Sequence, residues 1–176
     1  ELAGYLPWTI TESYARLKSA FSYLKAYEEG GGTPEEIANA QANIVYLMGV
    51  MGHYVGDAHV PLHTTENYNG QLTGQEGIHG FWESRLVELY SDQYNFFVGK
   101  AEYIADPQER IWEVVKASHL LKDSVLLGEK KLSEKFGEKR FAFETKGKQT
   151  VKVYSRAYAN AFHKMLKGMV EKRMQS

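Results

Sequence analysis

The chain has 176 residues, 43% of them apolar, and a formal net charge of −1, which is enough apolar content for one domain with a core. That charge supplies no overall field toward nucleic acid or an anionic membrane. Cysteine is absent, so disulfides and thiolate ligands are excluded, and any metal must be held by nitrogen and oxygen. No apolar run approaches the roughly 20 residues that span a bilayer, and no signal peptide is visible.

The elements predicted in chain order are helical, and the fold class expected is all-α, a single helical domain over residues 1–176. A first helix runs from about Thr9 to Glu29, with Tyr14, Leu17, Phe21 and Leu24 at helical spacing and Gly30-Gly31-Gly32 as its stop. Thr33-Pro34-Glu35-Glu36 is a start signal: a capping threonine, a proline at the first helical position and a glutamate able to close a capping box. The second helix carries Ile37, Ile44, Leu47, Met48, Met51 and Val55 and stops before Pro61, which disfavours helix at the residue preceding it. Thr64 to Ile78 reads as a loop with a turn at Asn69-Gly70. A third helix spans about His79 to Tyr90. Asp106-Pro107-Gln108-Glu109 opens a fourth, to about Leu127. Residues 128–148 mix charge and glycine, and Arg140 to Glu144 reads as a short strand or as loop. A last helix is predicted from about Gln149 to Arg173. The lysines between Lys130 and Lys146 alternate with acidic residues, the pattern of a solvated surface.

Four of the six histidines lie between positions 53 and 79. His53 and Asp57 lie four positions apart, and so do His79 and Glu83. Such pairs share one helix face, one turn apart. An imidazole and a carboxylate so placed can grip one divalent cation, and His63 lies between the two pairs. A loop folding back would let His63, His79 and Glu83 converge, giving two nitrogens and one oxygen with a position left for water, the pattern of a catalytic zinc site. Any single member reads as readily as a packed histidine or a helix-surface pair; the joint pattern points to metal. His59 reads as structural, or as a partner to a ligand. His119 and His163 read as core or surface residues, and Glu66, Asn67 and Asn69 as site contacts or turn-formers.

At these residues the sequence resembles the zinc-dependent phospholipase C and single-strand-specific nuclease superfamily. The shared pattern is His-x-x-x-Asp, then Pro-Leu-His, a variable loop, and His-x-x-x-Asp/Glu, here His53, Asp57, Pro61-Leu62-His63, His79 and Glu83. The resemblance implies an all-α fold with up to three zinc ions. His63, His79 and Glu83 would hold one ion. His53 and Asp57 would serve the neighbouring pair, with Asp57 bridging. Asp57 and Glu83 would be the carboxylates at the reacting centre. It further implies an exported enzyme in which a zinc-bound hydroxide attacks phosphorus of a phospholipid or nucleic-acid phosphodiester, because zinc lowers the pKa of bound water from 15.7 to about 7. The glutamate at position 83 looks more like the phospholipase branch, and the Gly-Gly-Asn that nucleases carry in the loop is replaced by Glu66-Asn67-Tyr68-Asn69-Gly70. The family's further ligands, including an N-terminal amino group and an upstream histidine and aspartate, have no counterpart before His53. With the opening Glu1-Leu2-Ala3, this leads to the expectation that the chain is the C-terminal part of a longer protein. A non-catalytic metal-binding or interaction module with a reduced site is the alternative.

Overall fold

The computed structural model describes residues 4–97 and 99–174. They are mostly helical, with one small two-stranded hairpin. They divide into two compact units: residues 4–60 with Tyr103–Lys116, and Pro61–Glu102 with residues 117–174.

In the first unit, α1 (Leu6–Gly30) and α2 (Pro34–Ala58) form a helical hairpin. Gly31 ends α1 in the left-handed conformation, φ 79°, which glycine adopts without a Cβ penalty. The capping box at the start of α2 is present. Thr33 N donates to Glu36 Oε2 at 2.8 Å, and Glu36 N donates to Thr33 Oγ1 at 3.2 Å. The packed stripe of α1 differs from the predicted one: Ile10, Ser13 and Ala20 are buried, whereas Phe21 is exposed. Small residues on this stripe permit close helix approach, which the large aromatics beside it do not. Ile10, Ala58, Ile111 and Val114 form the unit's core, flanked by Leu6, Tyr54, Val55 and Val115.

The second unit contains α3, residues 78–90. This helix is α-helical at Ile78–Gly80, π-helical at Phe81–Arg85 and α-helical again at Leu86–Tyr90. Helix α4 is Pro107–Phe136, its first part belonging to the other unit. It runs well past the Leu127 predicted as its end. Gly128 does not break it, because the missing Cβ leaves room for the Met165 side chain, and Glu129 beyond it is fully buried.

Strand β1 (Phe141–Lys146) pairs antiparallel with β2 (Gln149–Tyr154), Phe141 opposite Tyr154. The helix predicted from Gln149 therefore begins only at Arg156, as α5 (Arg156–Met174). Residues 149–154 carry β-branched Thr150, Val151 and Val153, which suit a pleated strand. The two-residue turn before them has Gly147 at φ 64°, as hairpin turns of the primed types require. Phe81 joins α3 to this part of the unit. Its ring centroid is 4.2 Å from Tyr154 and 5.2 Å from Phe162. No described helix is long and apolar enough to cross a membrane.

Candidate metal centre

His63 sits on a short 3₁₀ turn, Pro61–Thr64, which follows the end of α2 after His59 and Val60. Thr64 closes the turn by donating its hydroxyl to the Pro61 carbonyl at 2.7 Å. The Thr64 carbonyl in turn lies 2.9 Å from His119 Nδ1 on α4. The residue after His63 is thus tied to a long helix within the same unit.

The loop that leads to His79 is held by its own side chains. Asn67 is buried, donates to Thr73 Oγ1 at 3.0 Å and accepts from Leu72 N at 2.8 Å. Asn69 accepts from Gly77 N at 3.1 Å. Both asparagines therefore serve as turn-formers. Gly70 has φ 74°, and a Cβ there would strike the Gln75 backbone. Gln75 anchors the whole loop to α4. Its amide donates to the Leu126 carbonyl at 2.7 Å and to Glu129 Oε2 at 2.5 Å. The other Glu129 oxygen accepts from the Tyr158 hydroxyl at 2.6 Å. Desolvation, then the hydrogen bond to Glu129, raises the Tyr158 pKa, so this phenol stays protonated as a donor.

So positioned, His63, His79 and Glu83 come together, with one possible ligand atom from each lying within 4.8 Å of the others. His63 Nε2 is 2.8 Å from Glu83 Oε1, and His79 Nε2 is 3.1 Å from Glu83 Oε2. The two imidazoles stack, with centroids 5.0 Å apart and planes 22° from parallel. Tyr68 meets His79 edge-on at 5.7 Å. Glu83 lies in the π-helical turn, a local widening that recurs at functional sites. All three side chains are partly buried.

The donor spacing suits a small divalent ion. Ligand bonds of about 2.0–2.2 Å in a tetrahedron place donors roughly 3.4 Å apart, and the two carboxylate–imidazole separations of 2.8 and 3.1 Å lie just under that. Glu83 Oε1 is buried and has no aligned hydrogen bond among the described residues, despite its closeness to His63. An acceptor left so, on a carboxylate that faces two imidazoles, suits a cation. Nitrogen and carboxylate donors without thiolate suit a divalent first-row metal ion.

His53 and Asp57 form the predicted pair on α2, with His53 Nε2 3.4 Å from Asp57 Oδ2. His53 is exposed and Asp57 partly buried. They belong to the first unit, the His63 group to the second. His59 lies 2.8 Å through Nδ1 from the Val55 carbonyl. His163 is a core residue, stacked on Tyr90 at 4.2 Å with planes 9° apart.

The predicted site residues left out His119, Gln75, Glu129 and Tyr158. A signal for Glu129 existed: it follows Ser118 and Val125 at helical spacing on the buried face of α4. A carboxylate on such a face needs donors. Which donors answer it is a long-range matter.

No protein-family model, curated protein or solved structure matches the chain. What the fold and the site define is a mostly helical protein with a small hairpin, carrying a His-His-Glu group able to hold a metal ion.

Proposed function

We propose that this protein is a zinc-dependent hydrolase of phosphate esters, of the phospholipase C or nuclease type, acting outside the cytoplasm. The convergence of His63, His79 and Glu83 carries this reading. When bound, zinc would supply Lewis acidity toward a phosphoryl oxygen and activate water near neutral pH. Hydrolysis forms a bond from water oxygen to phosphorus and breaks the ester P–O bond, and the proton finishes on the leaving alcohol.

The chain's own residues have the following parts in this reading. His63 and His79 would hold the ion through ring nitrogens, and Glu83 would offset part of its charge. Tyr68 meets the His79 ring edge-on. His53 and Asp57, in the first unit, form a separate pair of candidate ligands.

Hydrolysis of bis(p-nitrophenyl) phosphate by zinc-loaded protein tests the reading. The expected result is turnover that a chelator removes, that added zinc restores, and that His79→Ala lacks. Less than about half an equivalent of zinc at saturation overturns the metal centre. Stoichiometric zinc without turnover of phosphodiesters or phosphomonoesters overturns the enzyme and leaves a metal-binding module.

A further inference from the structure

A concave site lies in the same unit as the metal group. It is an apolar pocket of about 240 Å³ between α3 and α5. Trp82, Leu86 and Val87 line it from α3, and Leu166 and Val170 from α5. Phe96, itself largely exposed, stands among its walls. Trp82 is the residue next to Glu83, so one short helix supplies both a candidate metal ligand and a wall of the pocket. None of the lining side chains is an acid, a lysine or an arginine.

The only imidazole in the lining is His163, and burial lowers its pKa, with Lys167 adding to that effect. The pocket therefore presents no charge at neutral pH. Its volume equals about eight waters at ~30 Å³ each, the space of a short hydrocarbon segment or a single small ring. A nucleobase would bring several donors and acceptors on its edges. Ser91, Tyr94, His163 and the indole N–H of Trp82 supply the polar side-chain atoms of the lining, and Leu86, Val87, Phe96, Leu166 and Val170 are hydrocarbon. Unpaired polar edges are penalised strongly in such surroundings. A hydrocarbon chain incurs no such penalty.

We infer that this pocket takes one hydrocarbon chain of an amphiphilic substrate, and that the substrate class is therefore a phospholipid and not a nucleic acid. The inference rests on the proposed phosphate-ester hydrolysis for the second clause only; chain binding stands apart from it.

The test uses the whole chain with Trp8→Phe and Trp112→Phe, so that fluorescence reports Trp82 alone. Methyl 8-bromooctanoate, a neutral ester with a contact quencher on its tail, is titrated with and without zinc. Saturable quenching is expected in both conditions. Leu166→Trp would add its own emission, so Leu166→Phe and Val170→Phe are used to fill the pocket. Each is expected to weaken binding about tenfold or more, with unchanged zinc content and helical circular dichroism. Two filling variants guard against a fold defect in one. Quenching that does not saturate, or that neither variant weakens, overturns the pocket assignment. Zinc-dependent hydrolysis of a short-chain phosphatidylcholine, with a thymidine dinucleotide left intact, supports the substrate class. Cleavage of the dinucleotide alone overturns it and leaves the metal reading standing. Saturable chain binding with neither substrate cleaved sinks the hydrolase reading and, with it, the substrate class, while the chain site itself remains.

Discussion

Glu83 Oε1 lies 2.8 Å from His63 Nε2, although the two residues are separated by a turn-rich loop and sit on different elements. The same carboxylate reaches His79 Nε2 with its other oxygen, at 3.1 Å. One glutamate thus spans both imidazoles. Replacing it removes the group common to both contacts. Glu83→Gln and His79→Ala are each expected to abolish stoichiometric zinc binding at neutral pH, because two remaining donors make a poor site. Elemental analysis after dialysis against micromolar zinc measures this. Unchanged stoichiometry in His79→Ala would disprove the ligand set.

His119 is not one of the three donors, yet its Nδ1 lies 2.9 Å from the carbonyl of Thr64, the residue after His63. Truncating an outer partner that orients a ligand typically weakens metal affinity about 10- to 100-fold. His119→Ala is expected at the lower end, about tenfold, since the contact is to backbone and is exposed. Its thermal stability without metal should change little. Competition with a chromogenic chelator reads the affinity. An affinity equal to wild type would show that the His63 turn holds its place unaided.

Glu129 has both oxygens occupied in the buried interior, one by Gln75 and one by Tyr158. Tyr158→Phe deletes one donor and leaves a buried acceptor unpaired, a loss of about 1–3 kcal/mol. The expected result is a lower denaturation midpoint together with faster amide exchange in residues 64–77, because Gln75 shares the same carboxylate. A destabilised protein whose loop exchanges as in wild type would mean that Gln75 is held independently.

Gly70 stands at φ 74° with the Gln75 backbone where a Cβ would lie. Gly70→Ala adds left-handed strain of about 1 kcal/mol or more to a clash with main chain. Denaturant unfolding is expected to show a lower midpoint with an unchanged slope. A neutral substitution here would contradict the tight turn.

His163 is buried against Tyr90 and Tyr94. Desolvation lowers its pKa, Lys167 lowers it further, and Glu171 opposes both. Its folded pKa lies below the unfolded value of about 6.5. The unfolded chain therefore binds the proton first as pH falls. The neutral ring's contribution is complete above about pH 6.5 and is lost as pH drops toward the folded pKa. Thermal midpoints of chelator-treated protein should fall between pH 7.5 and 5. His163→Phe, which keeps the ring, should fall less. Parallel pH profiles for the two proteins would refute the assignment.

The sequence by itself determined what depends on near neighbours. The Thr33–Glu36 capping box, the stop before Pro61 and the start at Pro107 are effects of a single turn, and all are present in the structure. The His53–Asp57 and His79–Glu83 pairs were legible for the same reason, since helix geometry alone brings positions four apart together. Where local signals conflicted, the reading failed. Gly128 and the charges after it suggested the end of α4, but space filled by Met165 and the burial of Glu129 carry the helix on to Phe136. The β2 strand was missed although Thr150, Val151 and Val153 suit one, because its hydrogen bonds are completed only by pairing with β1. Only the tertiary structure decided that His63 meets the other two donors. That meeting depends on a loop whose path is set by Gln75 against Glu129 and by Thr64 against His119, contacts between residues more than fifty positions apart. No local pattern encodes such contacts, because their partners become neighbours only once the chain has folded.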